Sequence, residues 1–284
     1  MTEHIEVDGR IRTFTVVGER SAGQALMLVF HGSRQSGEIH RRFAGGAYDT
    51  LGEKGALVVY LDGYRGNWND ARRESRFPAR LAGIDDVAFV RAVIARLAGT
   101  HGIDPDRVYA IGYSNGGQMV LRLLHEDASP LAGGAVVAAT LPEPGSFVLP
   151  QVVPAPHPVP VLLVHGTADP VVPYAGGRMG RWAQLVFRVG GSSLSAPETA
   201  AYFTRRNGIA TPPTTHADAA SHPDGTRVER TDWREAGHPS VTFVTVHGGG
   251  HTVPGPKPGP RLVGRTATSI SVADLAAEAF GLGA

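Results

Sequence analysis

The five residues around Ser114 have the composition of a reactive-serine turn. Gly112-Tyr113-Ser114-Asn115-Gly116 follows an apolar run and precedes a segment of helical periodicity. A serine on a sharp strand-to-helix turn has close backbone neighbours, so small residues are needed two positions to either side. The pattern predicts a nucleophilic hydroxyl on Ser114 and an Asn115 N–H that stabilises a developing oxyanion at a helix N-terminus. The alternative is a glycine-rich turn that contains serine by chance.

A nucleophilic serine needs a base, and the base needs a carboxylate that orients it. Asp169 lies in the short loop after the apolar run Val159–Val164, and His251 lies in the glycine-rich loop after Val241–Val246. Taken alone, Asp169 also fits a turn that begins before a proline. The chain order Ser, Asp, His and the position of each residue after a strand predict a triad of Ser114, Asp169 and His251.

His247 is the nearest competitor for the role of base. It sits at the end of the strand itself and has less reach than a residue carried on the loop, so His251 is preferred. A zinc site of His247 and His251 is a weaker interpretation, because the glutamate of H-E-x-x-H is missing and the three intervening glycines disfavour a helix. We predict no metal and no cofactor.

A second oxyanion donor is expected from the loop after an early strand. The run Ala25–Phe30 ends in His31, Gly32 and Ser33. The Ser33 N–H is the predicted donor, with Arg34 as an alternative and a simple strand-ending glycine as a third interpretation. His31 is expected to be a structural hydrogen-bonding residue.

The elements that carry these residues alternate between strands and helices. Continuous apolar runs of this length suit strands that are covered on both faces. The alternation predicts a doubly wound α/β fold, with a mostly parallel sheet and helices on both faces, in a single domain over residues 1–284. The predicted strands are Ala25–Phe30, Ala56–Leu61, Val108–Ile111, Ala135–Ala139, Val159–Val164 and Val241–Val246; the predicted helices are Asp85–Leu97, a segment after Ser114, Ala196–Arg206 and Val272–Phe280.

Two long segments near the predicted site lack the pattern of a helical lid. Leu141–Pro160 is rich in proline, which argues for an extended excursion, and Val171–Ser195 shows no amphipathic helix. We therefore expect no large lid domain and a fairly open cleft.

Composition excludes several classes of function. With 27 Lys+Arg against 26 Asp+Glu, the formal charge of +1 argues against a nucleic-acid partner. The absence of cysteine excludes disulfides and thiolate chemistry. No apolar stretch reaches the length of a membrane span and no signal sequence is visible, so a cytoplasmic location is expected, with a trimmed exported form as the alternative. The oligomeric state is not predicted.

The chain resembles α/β-hydrolases, and among them the esterases that include polyhydroxybutyrate depolymerases and feruloyl or acetylxylan esterases. The resemblance implies hydrolysis of a small-molecule or oligomeric ester through an acyl-enzyme on Ser114. A serine peptidase and a non-catalytic binding protein on the same fold are the alternatives. Besides the three catalytic segments, the matching stretches are Leu61-Asp62-Gly63, Asn67-Trp68-Asn69, Asp85-Asp86-Val87-Ala88-Phe89, Asp104-Pro105-Asp106-Arg107-Val108-Tyr109 and Thr252-Val253-Pro254-Gly255.

Trp68, Tyr113 and Val253 are the candidate substrate contacts. Val253 stands where this group often has tryptophan, which implies the loss of one aromatic wall of the acyl pocket. The secreted members usually carry disulfides, and this chain has no cysteine. Degradation of insoluble polyester is therefore not expected.

Overall fold

The computed structural model describes residues 1–126, 129–149, 157–180, 184 and 189–283. Within these residues, ten strands form one sheet in the order β1-β2-β4-β3-β5-β6-β7-β10-β9-β8. The strands are β1 (Thr2–Val7), β2 (Arg10–Val17), β3 (Gln24–Phe30), β4 (Ala56–Leu61), β5 (Ile103–Tyr113), β6 (Gly133–Val137), β7 (Val161–Gly166), β8 (Thr214–Ala217), β9 (Arg227–Glu235) and β10 (His238–His247).

The centre of the sheet is parallel and its two edges are antiparallel. Strands β4, β3, β5, β6, β7 and β10 pair in parallel, whereas β1, β2, β9 and β8 join through antiparallel pairs. All residues of β3 and β4 are buried, as expected for strands covered on both faces. The carboxyl ends of the parallel strands therefore lie along one edge, where loops can gather functional side chains.

Helices cover both faces of this sheet. Leu26 and Leu28 of β3 pack into one core with the helices α3 (Asp86–His101), α4 (Asn115–Leu123) and α5 (Ala196–Arg206). Met27 packs into a second core with α6 (Val272–Ala279). This is the two-residue alternation of a strand buried on both sides. Among the described helices, none is both long enough and apolar enough to cross a membrane. The helices are α1 (Gly37–Phe43), α2 (Pro78–Leu81), α3 (Asp86–His101), α4 (Asn115–Leu123), α5 (Ala196–Arg206) and α6 (Val272–Ala279).

Local signals account for where the longer helices begin. The Asp85 side chain caps α3 by accepting a hydrogen bond from the Ala88 N–H at 2.8 Å. Ser195 and Glu198 form a capping box at the start of α5. Helix α5 has the bounds predicted from the sequence, as does strand β4.

The doubly wound, mostly parallel fold is confirmed, but the two antiparallel edges were not predicted. Strands β1 and β2 form a hairpin through Asp8 and Gly9, which both have positive φ, at 51° and 69°. Strand β9 carries many charged residues and therefore lacks the apolar run by which the central strands were recognised. The single domain over residues 1–284 stays a prediction.

The described parts of the two long segments lie across the site as short bridged turns. Pro142 and Gly177 each form an isolated bridge with Ser193. Residues 150–156 of the first segment, and 181–183 and 185–188 of the second, lie outside the described residues. In the described parts of both segments there is no lid domain.

Candidate active site

Ser114 occupies a sharp turn between β5 and α4. Its backbone has φ 54° and ψ −114°, a conformation rarely adopted by a residue with a side chain. A Cβ atom on Gly112 would lie 2.2 Å from the Gly116 carbonyl oxygen, and one on Gly116 would lie 2.1 Å from the Phe30 carbonyl oxygen. Gly112 is therefore required for the turn to close on itself and Gly116 for the turn to pack against β3, as the sequence pattern predicts.

The loops after β5, β7 and β10 bring Ser114, Asp169 and His251 together. The His251 Nε2 atom lies 2.9 Å from the Ser114 Oγ atom. On the other side of the ring, Nδ1 lies 2.7 Å from Asp169 Oδ2. This arrangement can pass the hydroxyl proton of Ser114 to His251 while Asp169 orients the imidazole.

Asp169 is held as a carboxylate by its surroundings. Its Oδ1 atom accepts hydrogen bonds from the Val171 and Val172 N–H groups at 2.7 and 2.8 Å. Burial alone opposes ionisation, but the nearby His251 and these hydrogen bonds outweigh it and lower the pKa of Asp169 below its usual value. The buried carboxylate therefore stays charged where it faces Nδ1 of His251.

The glycine-rich loop that carries His251 is fixed from two sides. The Tyr113 hydroxyl donates a hydrogen bond to the His251 carbonyl oxygen at 2.7 Å, and the His251 N–H donates to the Val263 carbonyl oxygen at 2.6 Å. A Cβ atom on Gly250 would lie 2.1 Å from that same Val263 oxygen. Glycine at this position therefore lets the loop pack closely enough to present the imidazole.

His247 does not share this position. Its Nε2 atom lies 3.3 Å from Glu229 Oε2 on the neighbouring strand β9. The imidazoles of His247 and His251 thus have different partners, and the structure brings only His251 to Ser114.

Ser33 and Arg34, the two candidates for the second oxyanion donor, have different surroundings. The Arg34 N–H donates to the Gly66 carbonyl oxygen at 2.7 Å. Ser33 lines the same cleft as Ser114 and Asn115. Ser33 therefore stays the predicted second donor beside Asn115, and the Arg34 N–H is already occupied.

His31 supports the loop that contains Ser33. Its Nδ1 atom donates to the Gly32 carbonyl oxygen at 2.7 Å, and its Nε2 atom accepts from the Gly63 N–H at 2.9 Å. Burial lowers the pKa of His31 to about 4, so the ring is neutral at pH 7. This is the structural role expected from the sequence.

A buried polar network that the sequence reasoning missed holds the side chain of Asn115. Its Oδ1 atom accepts from the Trp68 N–H at 2.9 Å, and its Nδ2 atom donates to Asp70 Oδ2 at 2.5 Å. Asp70 is also ion-paired with Arg72. Asp70 directly follows the Asn67-Trp68-Asn69 stretch, which was the only signal that pointed to this loop.

None of the three predicted substrate contacts is among the residues that line the cleft at Ser114, so their contact with substrate stays a prediction. Trp68 is 0% exposed, and its indole N–H donates to the His31 carbonyl oxygen, so the ring packs beneath the loop instead of lining the cleft. Tyr113 is 6% exposed and bonded to the His251 loop, and Val253 is 5% exposed within the second core. Each of the three side chains packs within or beneath the loops around the site.

Other residues form the walls of the cleft at Ser114. Besides Ser114 and Asn115, the cleft is lined by the polar residues Ser33, Arg72 and Gln118 and by apolar side chains. The cleft is small and partly open to solvent. The apolar lining residues are Phe77, Ala139, Val171, Val172 and Met179.

Comparison with known proteins identifies the family. The phospholipase/carboxylesterase family model matches residues 69–184. The putative esterase NocK of Nocardia uniformis subsp. tsuyamanensis is 34% identical over 291 residues, which cover 96% of this chain and 80% of that protein. Feruloyl esterase B of Piromyces equi is 33% identical over 126 residues, which cover 43% of this chain and 22% of that protein.

A solved structure shows the same fold over the full length. The acetyl xylan esterase from Aspergillus awamori superposes with a TM-score of 0.63 at 16% identity and covers 99% of each chain. Together with a relative that aligns over nearly all of this sequence, these similarities establish that the chain belongs to the α/β-hydrolase family of carboxylic ester hydrolases.

Proposed function

We propose that the chain hydrolyses carboxylic esters in two steps through an acyl-enzyme on Ser114. The observation that carries the proposal is the continuous line of hydrogen bonds from Ser114 through His251 to Asp169, at 2.9 and 2.7 Å, beside a cleft. Nucleophile, base and orienting carboxylate are the minimum set for such chemistry.

In the first step, the Ser114 Oγ atom attacks the ester carbonyl carbon while His251 Nε2 takes the hydroxyl proton. The main-chain amides of Ser33 and Asn115 stabilise the oxyanion of the tetrahedral intermediate. His251 then returns the proton to the departing alcohol as the C–O bond of the ester breaks. In the second step, His251 removes a proton from water, and the resulting attack releases the acid and restores Ser114.

The mixed polar and apolar lining of the small cleft supports a soluble ester with a short or compact acyl group. The names of the relatives, which include acetylxylan and feruloyl esterases, favour the same class. We expect the chain to act on p-nitrophenyl acetate and butyrate in preference to a peptide anilide. A substrate panel that adds methyl ferulate and a hydroxybutyrate oligomer ranks the possible acyl groups.

Replacing the nucleophile tests the mechanism. Ser114→Ala is expected to lower kcat on p-nitrophenyl butyrate by at least about 10⁴-fold, because the covalent route is removed. The wild-type enzyme, quenched during turnover, should carry the mass of one butyryl group on the peptide that contains Ser114. Retention of most activity by Ser114→Ala would refute the proposal.

The two histidines of this region provide a matched comparison. His251→Ala is expected to lose activity on the scale of Ser114→Ala, whereas His247→Ala should remain within about twofold of the wild type, since surface changes away from the site have small effects. The opposite result would assign the base to His247.

A further inference from the structure

A second cavity adjoins the cleft at Ser114. The two share Arg72, Gln118, Val172 and Met179 as lining residues. The second cavity is also partly open to solvent. A molecule whose carbonyl lies at Ser114 can therefore extend past Arg72 and Gln118.

Gln118 presents a buried acceptor without a partner to this junction. The residue is 4% exposed, and its Nε2 atom donates to the Thr140 carbonyl oxygen at 2.8 Å. This bond identifies which end of the amide is nitrogen, and so leaves Oε1 as the other end. Among the described residues, Oε1 has no hydrogen-bond partner. A buried acceptor in that state is costly unless something outside the chain bonds to it.

Arg72 presents a fixed donor to the same junction. Asp70 holds its Nε and Nη2 atoms, and the guanidinium lies 5.5 Å from the centre of the Phe77 ring. The side chain is 13% exposed and lines both the cleft at Ser114 and the second cavity. The carboxylate of Asp70 also compensates the positive charge of the Arg72 guanidinium. A ligand at the junction would therefore meet a hydrogen-bond donor and little net charge.

We propose that Arg72 and Gln118 form a polar subsite beside Ser114 that binds a hydroxyl group of the ester. A hydroxyl can accept a hydrogen bond from Arg72 and donate one to Gln118 Oε1. A carboxylate would face Gln118 with a second acceptor, and an ammonium group would face Arg72 with a second cation. The inference rests on the proposed function, because Gln118 and Arg72 would bind a polar group of the same ester whose carbonyl lies at Ser114.

Matched pairs of esters test the subsite. One pair, p-nitrophenyl butyrate and p-nitrophenyl 3-hydroxybutyrate, varies the acyl side; the other, ethyl acetate and 2-hydroxyethyl acetate, varies the alcohol side. In at least one pair the wild-type kcat/KM is expected to be about tenfold higher for the hydroxylated ester, since a well-placed pair of hydrogen bonds is worth about one decade. Equal values within both pairs would overturn the subsite.

Two variants test whether the preference for the hydroxylated ester comes from the hydrogen bonds. Gln118→Met keeps the approximate volume and removes the acceptor, so the preference should fall to within about twofold. Met179→Leu changes the shape of the same wall without a polar group, and should keep the wild-type preference. A preference that survives Gln118→Met would also overturn the subsite, as would a stronger preference for an ester bearing a carboxylate in place of the hydroxyl.

The test separates this inference from the proposed function. If the wild type hydrolyses both members of each pair equally and Ser114→Ala does not, the subsite fails and the esterase mechanism stands. If Ser114→Ala keeps the wild-type activity, or the wild type hydrolyses none of the four esters, both fail. The wild-type ratio does not depend on how well any variant folds.

Discussion

Asp169→Asn is the substitution for which the structure predicts the clearest loss. The Oδ1 atom of Asp169 accepts hydrogen bonds from the Val171 and Val172 N–H groups at 2.7 and 2.8 Å. The asparagine side chain keeps those two bonds only if its amide oxygen occupies the position of Oδ1. Its NH₂ group then takes the position of Oδ2 and faces His251 Nδ1. Since NH₂ only donates, Nδ1 has to accept, and the imidazole proton moves to Nε2.

That tautomer cannot act as the base. Nε2–H would point at the Ser114 Oγ atom, 2.9 Å away, as a donor instead of an acceptor. A change of this kind with the geometry intact lowers kcat by about 10⁴-fold in a serine protease triad. This loss corresponds to about 5.4 kcal/mol in the activation free energy, at about 1.36 kcal/mol per decade.

Initial rates on p-nitrophenyl butyrate at pH 7.5 measure the effect. Asp106→Asn is the matched control, because Asp106 is exposed near the start of β5, far along the strand from Ser114. The control should keep wild-type kcat, and both variants should keep the wild-type circular dichroism spectrum. If Asp169→Asn folds and retains more than about 1% of wild-type kcat, the tautomer argument is refuted.

Two further predictions concern the support of the site and the stability of the fold. Asn115→Ala removes the bonds from Trp68 N–H and to Asp70 while keeping the main-chain amide, so kcat on p-nitrophenyl butyrate should fall about tenfold with little change in KM; an unchanged kcat would show that the network does not position the oxyanion donor. Burial lowers the pKa of His31 and His125 to about 4 and of His40 to about 3, from 6.5. Below pH 6.5 the unfolded chain therefore binds more protons than the folded one, and the free energy of unfolding in urea should fall steadily from pH 6.5 to pH 4, with about one proton taken up per histidine. A flat profile over that window would contradict the neutral, buried state of these rings.

The order and placement of the triad could be predicted because they depend on local patterns. Ser114, Asp169 and His251 each follow an apolar run that forms a parallel strand, and the carboxyl ends of parallel strands share one edge. Glycines at fixed offsets from Ser114 mark a turn that no larger residue can make. Chain order and spacing were therefore sufficient to select these residues.

The walls of the cleft could not be predicted in the same way. An aromatic residue near a site can line it or pack beneath it, and only the path of the loop after β4 decides that Trp68 is buried under His31. Gln118 lies four residues after Ser114, but its unpartnered oxygen is visible only when Thr140 takes the other end of the amide.

The sequence by itself predicted the fold class, which the structure confirms, and selected Ser114, Asp169 and His251, which the structure brings together. Each of these features is encoded within a few residues of a strand end. Only the tertiary structure decided that the Arg34 N–H bonds to the Gly66 carbonyl oxygen, and which side chains line the cleft at Ser114. Those choices depend on contacts between residues far apart in the chain, such as Asp70 with Asn115, and no local pattern records such contacts.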